Sequence, residues 1–379
     1  YNLIYELAKK RPKWRFVLMH REFYDDHWKN LENGKNVDVL HMIANNVAIV
    51  FFLMLNSSFI NTVLTEIIDP LPQGIKKFLG KIKFFLLYSR ILPDADLFFD
   101  PVGTTPFNNF YLPRVTLIHD IIYNDLPRYM YTAKYAKKSV EAAARHSDTI
   151  ISVSKFSQRR IREVLDIDEA KVYFVHTAFA KRLKKPLAVD HKAILRKYGL
   201  KKNKYIVYPS CFWQHKNHSR LLQAFAKYLK QYNSDMKLVL MRSFTEKIAF
   251  VYDLHDLADH VVTTDYVDND TFRVILENAS AIIQASLYEG VGMTVLEGMD
   301  AGKPVTASRV ASVPEIAGDA VLYFDPYDID DMCSAIHRIT SDEDLREYLV
   351  EKGREQVEKF SNKEKMTEEY IKILESVMQ

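Results

Sequence analysis

The sequence has almost no cysteine. Cys211 and Cys333 are its only two, far apart in the chain. No disulfide framework or cysteine-based metal cluster is implied, and a reducing, cytosolic setting fits. Long apolar runs are also missing. The longest, Val47–Leu55 (VAIVFFLML), has nine residues, whereas a bilayer span needs about 20. No signal peptide, internal repeat, low-complexity tract or metal-binding motif stands out. The net charge is only +3, too weak to argue for a nucleic-acid partner.

What is present fits a globular enzyme. The chain of 379 residues is 48% hydrophobic and 27% charged, enough to build two domains. Short apolar runs bounded by Pro, Asp or Gly recur, among them Asp96–Asp100, Val115–His119, Thr149–Val153, Lys171–Val175, Tyr205–Pro209, Lys237–Met241, His260–Thr263 and Ala281–Gln284. Helical patterns lie between them, at Val140–His146, His191–Tyr198, Leu221–Tyr232 and Thr271–Asn278. Alternation of this kind predicts parallel sheets covered by helices on both faces. Ser154 or Ser157 is positioned to cap the helix that follows Thr149–Val153. Asp342–Met378 reads as helix with a break near Ser361 and Asn362.

Gln73–Tyr88 (QGIKKFLGKIKFFLLY) places Ile75, Phe78, Leu79, Ile82, Phe85 and Leu86 on one helical face, with lysines mostly elsewhere. Such a face packs on a sheet or lies on an anionic membrane. Both readings stand for residues 75–88.

The rest of the chain is organised around Ser286–Pro326, SLYEGVGMTVLEGMDAGKPVTASRVASVPEIAGDAVLYFDP. Glu289 and Glu297 bracket Gly290 and Gly292, and a helix is predicted to begin between them, with Glu297 about two turns into it. Glycines let a backbone approach a ligand closely. A helix start offers unpaired amides and partial positive charge to an anion. Carboxylates at the edges with amides between them suit a ligand with hydroxyls at both ends and phosphate in the middle, such as a nucleotide sugar.

This stretch resembles the retaining GT-B glycosyltransferases of the E-x7-E family, also described as group 1 or family 4 glycosyltransferases. AGKPVTAS, SVPEIAGDA and LYFDP continue the likeness in order, as do His119-Asp120 after a strand, SVSKFS at Ser152–Ser157 and the lysine-asparagine pair Lys216-Asn217. The resemblance implies an α/β GT-B fold of two doubly wound Rossmann-like domains facing a cleft. It sets an acceptor-side domain at residues 1–181, a nucleotide-sugar domain at 182–361, and a last helix, 362–378, returning to the first domain. Family members open with a strand and a glycine-bearing loop that are absent here, so the native N-terminus is expected to be missing.

The family's residue roles carry over to matching positions. Lys216 is expected to contact the donor phosphates, and Glu289 the donor sugar or the charge at its reacting carbon. His119, otherwise a structural histidine, is expected to hydrogen-bond the sugar, with Asp120 orienting its ring. These make Glu289, His119 and Lys216 the catalytic candidates. Glu297 is expected on the ribose hydroxyls, with Gly290, Gly292, Met293 and Thr294 offering backbone to the sugar or phosphate. The family's arginine before the lysine is replaced here by Cys211; either another cation, with Arg242 the candidate, takes its place or the amides of Gly290–Thr294 do more. HTAF at His176–Phe179 replaces a Pro-Asn-Gly. His215 and His218 flank Lys216 without a third ligand, which argues against a metal.

The implied activity is metal-independent transfer of a hexose, with retention, from a GDP- or UDP-linked donor to a glycan or lipid-linked acceptor. FWQHKNH resembles members that build cell-surface polysaccharide, often with mannose. The expected location is the cytoplasm, peripheral on the inner face of the plasma membrane through 75–88. Two rivals share the fold: a non-catalytic subunit that binds a sugar nucleotide, and another GT-B activity such as an epimerase or a phosphorylase.

Overall fold

A computed structural model describes residues 2–11, 13, 16–21, 37–42, 96–101, 103, 112–130, 132–181, 189–241 and 257–378. The amphipathic stretch 75–88 and Arg242 lie outside them.

The chain divides into two compact units, 1–98 with 111–113 and 367–379, and 99–110 with 114–366. In the first, helix α1 (Asn2–Lys10) and the parallel pair β1 (Phe16–Arg21) and β2 (Val37–Met42) are described, with Phe16 in register with Val37. Lys10 pairs with Glu368 at 2.6 Å and Arg11 with Glu375 at 2.8 Å.

The second unit holds two sheets. The smaller runs β3 (Phe98–Asp100), β4 (Arg114–Ile118), β5 (Thr149–Ser152), β6 (Val172–Phe174), in that spatial order. β4, β5 and β6 pair in parallel. Helices α2 (Ile122–Asp125), α3 (Ala133–Arg145) and α4 (Lys155–Val164) connect them. α3 begins seven residues before the predicted Val140. Its first two turns carry exposed Lys134, Tyr135, Lys137 and Lys138, which interrupt the apolar spacing that marks a helix in sequence. Ser154 caps α4, accepting from the Ser157 amide. A buried ion pair, Arg114 to Asp100 at 2.9 Å, joins β4 to the end of β3.

The larger sheet has six parallel strands: β7 (Tyr205–Tyr208), β8 (Lys237–Met241), β9 (Val261–Thr264), β10 (Ala281–Gln284), β11 (Val305–Ser308) and β12 (Leu322–Phe324). Their spatial order is β12-β11-β10-β7-β8-β9, the doubly wound arrangement. The strands are buried on both faces, so they read as unbroken apolar runs. Alternate residues serve opposite layers. Val207, Val239, Ile282 and Val305 face one core with α7 (Asn269–Glu277), α8 (Met293–Asp300) and α9 (Val313–Ala317). Ile206, Tyr208, Leu238 and Ile283 face the other with α6 (His218–Tyr232) and α10 (Ile329–Ser341). α5 (His191–Lys197) leads into β7; α11 (Glu343–Lys359) and α12 (Lys363–Met378) close the chain.

α6 shows how locally the sequence dictates this. Leu221, Leu222, Phe225 and Tyr228 fall on one buried face, and Asn233, left-handed at φ 46°, ends the helix. Among the described residues no helix is long and apolar enough to cross a membrane.

Candidate active site

In a doubly wound sheet, ligands bind beyond the carboxyl ends of the strands where the order reverses. Here that point lies between β7 and β10, neighbours in the sheet. The loop after β7 carries His215 and Lys216, and the loop after β10 carries Ser286 and Glu289. The two loops are joined by a backbone bond, Leu287 N–H to His215 C=O at 2.7 Å.

Lys216 ends a short 3-10 turn, and Asn217 then takes a left-handed φ of 61° to start α6. This turn brings Lys216 Nζ to 2.7 Å from Glu289 Oε1. Ser286 Oγ donates to the same oxygen at 2.6 Å. Tyr208, the last residue of β7, donates to the Lys216 carbonyl at 2.9 Å and meets Ser286 Oγ at 2.9 Å. Burial alone would raise the Glu289 carboxyl. The Lys216 ammonium and the Ser286 hydroxyl more than offset it, and Glu289 is held below the usual glutamate range.

The rest of the Glu289 loop is fastened from both sheets. Ser154 Oγ donates to the Gly290 carbonyl at 2.9 Å, and Ser312 Oγ to the Glu289 carbonyl at 2.9 Å. A Cβ on Gly290 would lie 2.9 Å from the His119 carbonyl oxygen and 3.3 Å from Asp120 Oδ2. So Glu289, Gly290, His119 and Asp120 converge, with the carboxyl ends of β4 and β10 meeting there. His119 is exposed, free of the packing that a purely structural histidine would have. Burial pushes the Asp120 carboxyl up, although the Ile122 amide donates to it.

Several helices start on a side chain that accepts their first amides, among them those after Ser154, Asp190, Asp268, Asp328, Asp342 and Asn362. α8, like α3, α6 and α9, does not. Its N-cap is Gly292, at φ 86°, a backbone that side chains other than glycine rarely adopt. No side chain accepts the first amides of α8, and a helix start of this kind can take an anion.

Glu297 is the fifth residue of α8, just over one turn in and not the two turns expected. The helix starts after Gly292, later than the glutamate spacing suggests. Glu297 lines a small cavity with Phe179, Arg273 and Asp300, a different neighbourhood from that of Glu289. Arg242, lying outside the described residues, cannot be set beside Lys216. Cys211 is half-buried. His218 is buried between the rings of Tyr208 (4.9 Å between centroids) and Phe212 (5.0 Å). Burial drives it down to about 3, and His215 down to about 4, helped by Lys216. Among the described residues no three His, Cys, Asp or Glu side chains gather as a metal would require.

Sequence reasoning missed Tyr208, read only as strand, and Glu315, read only as part of the SVPEIAGDA likeness. Glu315 accepts the Lys155 and Phe156 amides at the start of α4, at 2.8 and 2.9 Å. A capping role across such a distance in sequence leaves no local signal.

Two parallel sheets meeting by their carboxyl ends, with a cation, a carboxylate and an open helix start at the switch point, define a GT-B fold. Solved structures agree. Anabaena HepE, in a complex with UDP and glucose, superposes with a TM-score of 0.72 at 16% identity, over 99% of this chain and 95% of that one. WaaG, a glycosyltransferase involved in lipopolysaccharide biosynthesis, superposes at 0.69 with 11% identity, over 96% and 94%. In sequence, residues 190–356 match the model described as glycosyl transferases group 1. O-antigen chain mannosyltransferase B of Escherichia coli is 27% identical over 67% of this chain and 69% of its own length. The MMP alpha-(1->4)-mannosyltransferase of Mycolicibacterium hassiacum is 26% identical over 66% of this chain and 62% of its own.

Proposed function

We propose that this protein transfers a hexose, with retention of configuration and without a metal, from a nucleotide sugar to a glycan or lipid-linked saccharide in cell-surface polysaccharide synthesis. The observation that carries the reading is the Lys216–Glu289 pair at the switch point, beside the uncapped start of α8. The diphosphate sits on the α8 amides and Lys216. Its leaving charge is neutralised there. Glu289 and His119 take the sugar hydroxyls, Asp120 steadies His119, and Glu297 takes the ribose. The acceptor belongs to residues 1–181 and the donor to 182–361. Mannose, carried on GDP, is favoured over a UDP-linked sugar, because several relatives are mannosyltransferases.

Same-face transfer fits the residues. The departing phosphate oxygen accepts the acceptor's hydroxyl proton as the new glycosidic bond forms, so no separate base is required. Attachment to the inner face of the plasma membrane through 75–88 belongs to the same reading.

The test is a thermal-shift titration with UDP, GDP, ADP and TDP. A ligand at about a hundred times its Kd stabilises by roughly 2.7 kcal/mol. One nucleotide should stand out. Glu289→Ala should then abolish transfer. No response to any nucleotide would defeat the reading, and an inactive wild type that still binds would favour a non-catalytic subunit.

A further inference from the structure

Tyr208, Ser286 and Glu289 form a chain of hydroxyl contacts with too few protons. It begins on the Lys216 carbonyl, 2.9 Å from Tyr208 Oη, passes through Ser286 Oγ at 2.9 Å, and ends on Glu289 Oε1 at 2.6 Å. Both ends are acceptors, since a carbonyl and an ionised carboxylate have no proton to give. Two hydroxyl protons must serve three contacts. With Glu289 ionised, one contact is two oxygens facing each other without a hydrogen. A proton on Glu289 fills all three in one direction, from Glu289 to Ser286 to Tyr208 to the Lys216 carbonyl. Tyr208 and Ser286 are fully buried, so water does not repair the gap.

The Lys216 ammonium, 2.7 Å away, is what opposes that proton. Resting on the reading above, in which the donor diphosphate engages Lys216, the consequence is direct. We propose that Tyr208 and Ser286 are positioning residues that ready Glu289 to take one proton from solvent when a nucleotide sugar draws Lys216 away, making donor binding proton-linked. Once Lys216 moves, the carboxylate is left buried without its cation, beside a chain that one proton completes.

Other groups face Glu289. Asp120, from the loop after β4, is itself pushed up by burial and by Glu289 and competes for the proton; His119 stands next to it. His215, from the loop after β7, feels both Lys216 and Glu289, and is a second rival site for the proton. Gln284 flanks the carboxylate from the end of β10.

The experiment is calorimetric titration of the whole chain with UDP-glucose and, separately, GDP-mannose, without acceptor, in buffers of different ionisation enthalpy. Their diphosphate diesters titrate far below neutrality, so any proton taken up belongs to the protein. The wild type should take up about 0.5–1 proton per bound nucleotide sugar near pH 6. Glu289→Gln should bind without uptake. In Tyr208→Phe, Ser286 simply donates to Glu289 and protonation completes nothing, so the midpoint for uptake should fall by about one pH unit. Ser286→Ala should move it the other way, because the ionised carboxylate loses its donor; this variant also serves if Tyr208→Phe fails to fold. Heats that do not depend on buffer, or uptake that survives Glu289→Gln and vanishes in His215→Gln, would overturn the inference while leaving the donor site in place. Absence of binding by either nucleotide sugar would overturn both.

Discussion

His176 Nε2 lies 2.6 Å from Glu315 Oε1. The same carboxylate accepts the Lys155 and Phe156 amides at the start of α4. One side chain from α9, on the larger sheet, thus holds both the loop after β6 and a helix of the smaller sheet. Burial alone would raise Glu315; the His176 bond and the two amides more than offset it, and the carboxyl is lowered. A lowered folded pKa means stability present above the unfolded value, about 4.3, and lost as pH falls through the folded one. Glu315→Gln should cost about 0.5–2 kcal/mol at neutral pH. Melting curves of variant and wild type should converge below about pH 4. A gap unchanged at low pH would mean that the charge is not what holds these elements.

Lys216 and Glu289 should be coupled in stability as well as in binding. Lys216→Met leaves Glu289 buried without its cation, and Glu289→Gln leaves Lys216 without its anion. Urea unfolding of both single variants and the double should give a coupling of about 0.5–3 kcal/mol. Additive effects would mean that the pair contributes nothing.

Arg114 and Asp100 are 2% and 1% exposed. Removing one partner takes the buried ion pair from the other, which costs about 3–5 kcal/mol. Asp100→Ala should therefore be more damaging in urea than the double change Asp100→Ala with Arg114→Met. The reverse order would contradict the pairing.

Gly290→Ala would press a methyl to 2.9 Å from the His119 carbonyl. The loop must move, at about 1–3 kcal/mol, and Glu289 with it. Nucleotide affinity should fall more than the melting temperature suggests. Wild-type affinity in the variant would show that the loop position is unimportant.

Much of this was legible in the sequence, because strands of a parallel sheet are apolar runs and helices between them have a buried stripe. β8 and β10 match their predicted spans, Lys237–Met241 and Ala281–Gln284. The glutamate-glycine stretch marked one wall of the candidate site, and Lys216 the other. That the two walls meet as an ion pair was not legible, since Lys216 and Glu289 stand 73 residues apart and pair only through the order of the strands. Whether Ser154 or Ser157 caps α4 was open because both are small hydroxyl residues near a helix start; Ser154 alone has the extended backbone of a cap. Glu297 was misjudged by spacing alone, which does not reveal where Gly292 lets the helix begin.

The central pairing of β7 with β10 is the contact that assembles the site. Ala281 pairs with Ile206 across an intervening stretch that holds β8, β9 and α7. Long-range parallel pairing of this kind is late and slow, because a large loop closes before any contact rewards it. Lys216 and Glu289 come together only at that step. Nucleotide binding during refolding should therefore lag behind helix formation seen by circular dichroism. A chain arrested before the two central strands join would be largely helical and unable to hold a donor, so ligand capture reports the closing of the sheet itself.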